Sequence, residues 1–196
     1  MVGGIIVGAL LVLWVSKVSE LSAQPLANVS TSPMTVLVCD RAGVSGKDRI
    51  EAREIADRIL KRAQIQTTWL DNRDCVGPQV ESYLTIVILP PRPKDMPSST
   101  FAMGRSTLIG SPYPRAYVFL DRVRRFDGLN RAMNARSNLG ALLGHAFTHE
   151  LGHLLGLSHA PAGIMRAEWG RAEWKAAVSG TLLFSLAGAK SVGLVH

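Results

Sequence analysis

The chain has 196 residues, of which 47% are hydrophobic and 19% are charged. That length accommodates one domain with a packed core, and the composition excludes an intrinsically disordered protein. The sequence contains no repeat of fixed period, which excludes solenoid and propeller folds. Lys and Arg number 22 against 15 Asp and Glu, a formal net charge of +7 that favours anionic partners without specifying a fold.

The first part of the chain is predicted to lie outside the folded domain. Residues 3–15 are an uncharged apolar stretch of 13 residues, which has the length of a signal-peptide core and is short for a membrane span. A polar, proline-containing linker follows at residues 24–33. We therefore expect residues 1–33 to be a signal peptide or membrane anchor plus a linker. The protein would then be exported (secreted or periplasmic), or anchored to the membrane by residues 3–15.

The sequence has two cysteines, Cys39 and Cys75. Two cysteines are too few for a small fold built on disulfides. In an oxidising compartment they could form one disulfide, and the other interpretation is two independent buried thiols. The sequence leaves both open, because the distance between the two cysteines in space decides it.

Residues 34–196 are predicted to form one domain that begins with alternating strands and helices. Residues 35–39 and 84–89 have the apolar character of buried strands, and residues 65–70 alternate loosely as a third strand. Residues 47–63 place apolar side chains at helical spacing. The order strand, helix, strand predicts a right-handed crossover and a largely parallel sheet.

The second half of the domain is predicted to contain one more strand and two helices. Residues 90–114 hold six of the ten prolines, so this segment cannot be regular structure throughout. A strand follows at residues 116–120, and then a long apolar helix at residues 137–155, which Gly156 ends. The last helix is predicted at residues 171–186.

The end of the long helix carries the sequence HELGHLLGLSH at residues 149–159. His149 and His153 are four residues apart, so both imidazoles project from one face of the helix. Both can reach one Zn²⁺ ion at about 2.0–2.1 Å. Gly156 lets the chain leave the helix sharply and brings His159 back as a third nitrogen ligand. Three protein ligands leave a fourth position open, which is typical of a catalytic zinc site.

Glu150 follows the first of these histidines and points to the flank of the same helix face. From there its carboxylate can take a proton from an attacking water, as a general base. The alternative is a helix whose histidines merely form hydrogen bonds in the core. That alternative is disfavoured, because three histidines and a glutamate at one apolar helix end are costly to bury without a metal.

The pattern HExxHxxGxxH followed by a methionine resembles the signature of the metzincins, which are zinc-dependent endopeptidases. The continuation LGLSH, residues 155–159, is similar to the matrixins within that family. The resemblance implies an α/β fold (α+β in some schemes) with a twisted mixed sheet, helices, an active-site helix and a small C-terminal lobe. It also implies that residues 34–196 are a catalytic domain, that residues 116–120 form an antiparallel edge strand, and that the substrate is a protein or peptide.

The same resemblance implies the roles of the site residues. His149, His153 and His159 would bind the Zn²⁺ cofactor, Glu150 would be the general base, and Met165 would form the methionine turn beneath the ligands as apolar support. The sequence departs from the matrixin pattern, because only five residues separate His159 from Met165. No tyrosine lies two positions after Met165, so a zinc-binding tyrosine is not expected.

Three alternative interpretations stay open. Glu173 lies 20 residues after His153, near the spacing of the glutamate that serves as third ligand in gluzincins. That choice would leave Gly156 and His159 unexplained. A non-catalytic zinc-binding or peptide-binding domain would keep the motif as a scaffold, although such a domain needs no general base. A membrane-tethered interaction protein would depend mainly on the N-terminal segment.

Other polar residues near the motif have two interpretations each. His145 either lines a cleft or, as we favour, is a core histidine with a backbone partner. A basic stretch before the long helix is either a solvated face or a cationic rim that prefers acidic peptides. We expect no nucleic-acid partner, and membrane association only through the N-terminal apolar segment. The basic stretch consists of Arg122, Arg124, Arg125, Arg131 and Arg136.

Overall fold

The computed structural model of the protein describes residues 33–72, 83–91, 102–107, 114–133 and 135–185. These residues belong to one compact unit that spans Thr31–His196. None of the helices in these ranges is both long enough and apolar enough to cross a membrane. The apolar stretch at residues 3–15 lies outside the described residues. Cys39 is disulfide-bonded, so the interpretation as an independent thiol is wrong for Cys39; Cys75 lies outside the described residues.

The described residues form a five-stranded sheet and four helices. The strands lie in the order β2-β1-β3-β5-β4. β1 pairs in parallel with β2 and β3, β3 pairs in parallel with β5, and β4 runs antiparallel to β5. This mixed sheet with its helices confirms the predicted α/β class. In chain order the elements are β1 (Met34–Asp40), α1 (Gly46–Arg62), β2 (Thr67–Asn72), β3 (Tyr83–Leu89), β4 (Gly104–Thr107), β5 (Arg115–Phe119), α2 (Leu120–Asn130), α3 (Leu139–Leu154) and α4 (Arg171–Val178).

The first helix, α1, forms where the apolar spacing predicts it. The side chain of Ser45 caps its first turn by accepting a hydrogen bond from the Asp48 N–H at 3.1 Å, which satisfies a backbone donor that has no partner within the helix. The apolar positions of α1 are buried against α3 and the sheet. A Cβ atom at Gly144 of α3 would lie 2.6 Å from the carbonyl oxygen of Ala52. Glycine at this position therefore allows the two helices to approach closely.

Helix α3 is the central element of the domain. It packs against α1, α2, α4 and the strands β4 and β5. Its residues are buried with two exceptions, His149 and His153, which are half-buried. A helix that is apolar on almost all sides belongs to the interior of a domain. The two histidines are therefore the positions at which α3 opens toward solvent.

Two sequence predictions, one about a strand and one about a helix end, are wrong. Residues 116–120 are not an antiparallel edge, because β5 lies between β3 and β4, and Leu120 already begins α2. Among the described residues the antiparallel edge is β4, a strand of four residues inside the proline-rich segment 90–114. Helix α4 ends at Val178 instead of residue 186, because Gly180 adopts a φ of +73°, a left-handed conformation that helices do not continue through.

Helix α2 has no counterpart in the sequence-based prediction. It occupies most of the basic stretch, and its buried residues are Leu120, Val123 and Asp127. Asp127 is buried because its carboxylate accepts hydrogen bonds from the Ser137 hydroxyl and the Trp174 indole N–H, at 3.0 and 3.2 Å. An acidic residue thus occupies a core position and joins α2 to α4 and to the chain before α3.

Candidate metal centre

The three motif histidines converge at the C-terminal end of α3. The Nε2 atom of His153 lies 3.1 Å from Nε2 of His149 and 3.1 Å from Nε2 of His159. Two nitrogen ligands of one tetrahedral zinc ion lie about 3.3 Å apart, given Zn–N bonds of about 2.0–2.1 Å. Among the described residues, His149, His153 and His159 are the group whose donor atoms could hold one metal ion.

The turn at Gly156 brings His159 to the other two ligands. Gly156 has a φ of +88°, and its N–H donates to the carbonyl of His153 at 3.0 Å while the Leu157 N–H donates to the carbonyl of Gly152 at 2.9 Å. This pair of hydrogen bonds is the Schellman motif, which ends a helix with a left-handed residue. The sharp exit from α3 follows from the glycine, as the sequence indicates.

Backbone carbonyls fix the orientation and the tautomer of two ligands. The Nδ1–H of His149 donates to the carbonyl oxygen of Ile164 at 2.7 Å, and the Nδ1–H of His153 donates to that of Leu157 at 2.8 Å. In a neutral imidazole the proton on Nδ1 leaves a lone pair on Nε2. The two Nε2 atoms therefore face each other as acceptors without a proton between them. A cation is the partner that suits such a pair.

Burial keeps the same imidazoles in the form that binds a metal. Desolvation lowers the pKa of His149 to about 4, and it also lowers the pKa of His153. Both rings are therefore neutral near pH 7, and metal binding there displaces no proton from Nε2.

Met165 lies against helix α3, which carries His149 and His153. It is 3% exposed, and a Cβ atom at Gly152 would lie 2.5 Å from its sulfur. The carbonyl of Met165 accepts a hydrogen bond from the Ala160 N–H at 2.9 Å. Met165 is thus a buried apolar residue that packs against α3 at Gly152, the position before His153.

Glu150 is buried in the wall of the cavity that the histidines also line. It is 4% exposed, and its Oε2 atom has no hydrogen-bond partner among the described residues. Burial raises the pKa of Glu150 to about 8, because the charged form is poorly solvated there. Gly104 of β4 lies directly against the carboxylate: a Cβ atom at Gly104 would lie 2.7 Å from Glu150 Cδ. A buried carboxylate without a partner is costly in a purely structural site.

The cavity has a volume of about 750 Å³ and three walls besides α3. Strand β4 contributes Gly104 and Arg105, and α2 contributes a face that includes Phe126. The segment after Met165 contributes Trp169, whose ring meets the His149 ring edge-to-face at 5.9 Å. The Trp169 indole N–H also donates to the carbonyl of Ile164 at 3.3 Å.

Glu173, the alternative third ligand, instead forms hydrogen bonds at the start of α4. Its carboxylate accepts a hydrogen bond from the Gly170 N–H at 2.8 Å and pairs with Arg166 at 2.7 Å. Although burial opposes it, these two contacts lower the pKa of Glu173. Glu173 therefore caps α4, and it is not in the group of residues that could hold a metal.

The remaining predicted polar residues divide between the core and the cavity. His145 is fully buried, and its Nδ1–H donates to the carbonyl of Ala141 at 2.8 Å, which confirms the core interpretation. Of the basic stretch, Arg122 and Arg125 line the cavity. Arg131 instead lies 3.5 Å from Asp127.

Several cavity residues were missed by the sequence analysis. Gly104 and Arg105 lie in a short polar strand that carries no pattern of its own, and Phe126 and Trp169 reach the cavity only through the packing of α2 and the chain after Met165. Trp169 alone had a local signal, because it follows the methionine by four residues.

Comparisons with known proteins identify similar folds. No family model and no curated protein matches the chain. A zinc-dependent peptidase from Methanocorpusculum labreanum is 14% identical, with 80% of this chain and 99% of that chain covered and a TM-score of 0.54. Archaemetzincin from Methanopyrus kandleri is also 14% identical, with 83% and 95% covered and a TM-score of 0.50. At this identity the likeness shows a shared fold.

Proposed function

We propose that the protein is a zinc-dependent endopeptidase. The observation that carries the proposal is the convergence of three imidazole Nε2 atoms beside a buried, unpartnered carboxylate in one cavity. His149, His153 and His159 would hold Zn²⁺, and Glu150 would act as the general base. The two similar structures support this reading, since one is a zinc-dependent peptidase and the other an archaemetzincin.

Each residue of the site has a separate role in the proposed hydrolysis. A Zn²⁺ ion held by His149, His153 and His159 would supply a Lewis acid for the scissile carbonyl and for water, whose pKa such ions lower toward about 7. Glu150 accepts a proton from the attacking water and returns it to the leaving amine. The Ile164 and Leu157 carbonyls hold two ligand rings in place, as outer hydrogen bonds to ligating histidines commonly do. Met165 would provide apolar packing beneath the three histidines and would not bind the metal.

The geometry supports an extended peptide along β4. This strand is the last one of the sheet among the described residues, and three of its residues line the cavity. An edge strand can accept another strand by backbone pairing. The sequence predicted this role for residues 116–120. Because β4 covers β5, we propose the role for Gly104–Thr107 instead.

The type of peptidase follows from the ligand set. The use of Glu173 in capping α4 favours the metzincin assignment over the gluzincin alternative. The likeness to matrixins in particular rests on the sequence LGLSH alone, since neither similar structure is described as a matrixin.

Metal content and hydrolysis test the proposal together. His159→Ala should lose most bound zinc, and Glu173→Ala should keep it, as measured by elemental analysis after dialysis. Glu150→Ala should keep zinc and fold but lose about 100-fold to 10,000-fold in peptide hydrolysis. Zinc retention without hydrolysis of any peptide by the wild type would instead favour a non-catalytic zinc-binding or peptide-binding domain.

Export belongs to the same proposal and has its own test. The apolar stretch at residues 3–15 would direct secretion or anchor the protein to the membrane. Cell fractionation of the full chain and of a variant without residues 1–33 measures this directly. Identical distribution of the two would refute it.

A further inference from the structure

One wall of the catalytic cavity is a basic and apolar face of α2. Arg122, Arg125, Phe126 and Leu129 all line the cavity, and they are spaced at i, i+3, i+4 and i+7, which places them on one side of a helix. Leu129 is 74% exposed, so this face reaches from the interior of the cavity to its mouth. Arg124, one position from Arg125, does not line the cavity.

Among the described residues that line the cavity, four are arginines and two are glutamates: Arg105, Arg122, Arg125, Arg166, Glu150 and Glu168. Arg166 is paired with Glu173, and Glu150 is buried beside the three histidines. The described cavity residues on α2 include two arginines, Arg122 and Arg125, and no acidic residue.

Arg125 is the residue of α2 that is best placed to meet a ligand. It is exposed, it lines the cavity, and no carboxylate of the described residues forms an ion pair with it. Arg122, one turn before Arg125 on the same face, also lines the cavity and lies 3.7 Å from Asp121.

We propose that this face of α2 selects peptide substrates that carry an acidic side chain close to the scissile bond, with Arg125 as the residue that binds the carboxylate. The inference rests on the proposed peptidase function. A guanidinium binds a carboxylate through two parallel hydrogen bonds, which gives direction as well as affinity. Phe126 and Leu129 on the same face provide apolar surface for the aliphatic part of the acidic side chain.

We assign the carboxylate that Arg125 binds to a side chain of the peptide and not to its C-terminus, because β4 runs along the same cavity. A peptide paired with that strand would pass through the cavity as an extended chain. The arginines then meet side chains along the peptide, and a chain terminus is not required.

Matched peptides test the inference in the zinc-loaded full chain. Each pair differs only by Glu or Gln at one position near the cleaved bond, and each pair is made both with an amidated and with a free C-terminus. The measurement is the ratio of kcat/KM for the two peptides, at low and at high salt. The enzymes are the wild type, Arg125→Gln, Arg125→Lys and the control Arg124→Gln, which removes the same charge from the same helix outside the cavity.

We expect the wild type to prefer the Glu peptide by about tenfold at one position or more at low salt, with a smaller ratio at high salt. Arg125→Gln should bring the ratio close to one, and its zinc content and Tm should match those of the wild type, which shows that it folds. Arg125→Lys should keep most of the preference, and Arg124→Gln should keep all of it.

The outcomes separate the inference from the proposed function. Equal cleavage of Glu and Gln peptides at every position by the wild type would overturn the inference and leave the peptidase intact. Equal loss of preference in Arg124→Gln and Arg125→Gln would overturn the role of Arg125. Cleavage that requires a free C-terminus would overturn the side-chain assignment in favour of a terminal carboxylate. Absence of hydrolysis of every peptide would overturn both proposals.

Discussion

Gly104→Ala should abolish most hydrolysis while zinc stays bound. The added Cβ atom would lie 2.7 Å from Glu150 Cδ and 2.7 Å from the backbone oxygen of Tyr117, both well inside van der Waals contact. The Tyr117 backbone is held in the β4–β5 ladder, whereas Glu150 is the end of a side chain. The carboxylate therefore moves first, and it moves away from the position where it can act as a base.

The magnitude follows from these distances. A displacement of about 1 Å at a reacting group lowers the rate by about 100-fold. Overpacking by one methyl group destabilises a core by about 1–3 kcal/mol, which lowers Tm by about 2–4 °C per kcal/mol in a domain of this size. The three atoms nearest to the new methyl group belong to Glu150 and Tyr117 and not to the histidines, so zinc content should stay close to that of the wild type.

Three measurements on one preparation decide the outcome: kcat/KM on a cleaved peptide, zinc content and Tm. Gly128→Ala is the matched control, because a Cβ atom at Gly128 in α2 meets nothing within 4 Å and alanine favours a helix by about 1 kcal/mol. It should keep full activity and gain stability. Wild-type turnover in Gly104→Ala would contradict the position of Glu150 or its role as the base.

Three further substitutions test other parts of the centre. Met165→Leu should keep most zinc and activity and cost less than about 1.5 kcal/mol, whereas zinc loss as complete as in His159→Ala would exclude a purely apolar role. In the presence of a chelator, the free energy of unfolding of the wild type should fall relative to that of Glu150→Gln as the pH rises from about 4.5 to about 8. The reason is that Glu150 ionises at lower pH in the unfolded chain than in the folded one. If urea unfolding gave the same difference between the two proteins at every pH, the burial of Glu150 would be contradicted. Glu173→Gln should cost about 1–3 kcal/mol near pH 7, and the loss should shrink in acid as the native carboxylate protonates, since the contacts that lower its pKa stabilise the charged form.

The ligand cluster could be predicted from sequence because its determinants are local. His149 and His153 share a helix face by their spacing alone, and Gly156 ends the helix through hydrogen bonds that span only a few residues. Helix α1 was predicted for the same reason, since its apolar spacing matches its buried side. What these features have in common is that the chain within one or two turns determines the structure.

The walls of the cavity could not be predicted because their determinants are distant in sequence. Strand β4 has the sequence Gly-Arg-Ser-Thr, without the alternation that marks a strand, and it exists because it pairs with β5. Helix α2 buries Asp127 at a core position, where an apolar residue would have revealed the helix. That carboxylate is accommodated by Trp174, 47 residues further along the chain.

Because the site is assembled from distant segments, the motif alone does not determine the chemistry. The carbonyl of Ile164 accepts hydrogen bonds from both His149 and Trp169, so the segment that carries Met165 also orients a ligand. Gly104 admits the Glu150 carboxylate to its buried position, and β4 reaches that position through its pairing with β5. A helix with the same eleven residues, removed from this sheet edge and this loop, would keep the ligand spacing. It would lose the Nδ1–H tautomer, the raised pKa of its glutamate and the cavity wall formed by β4, and the proposed catalysis depends on all three.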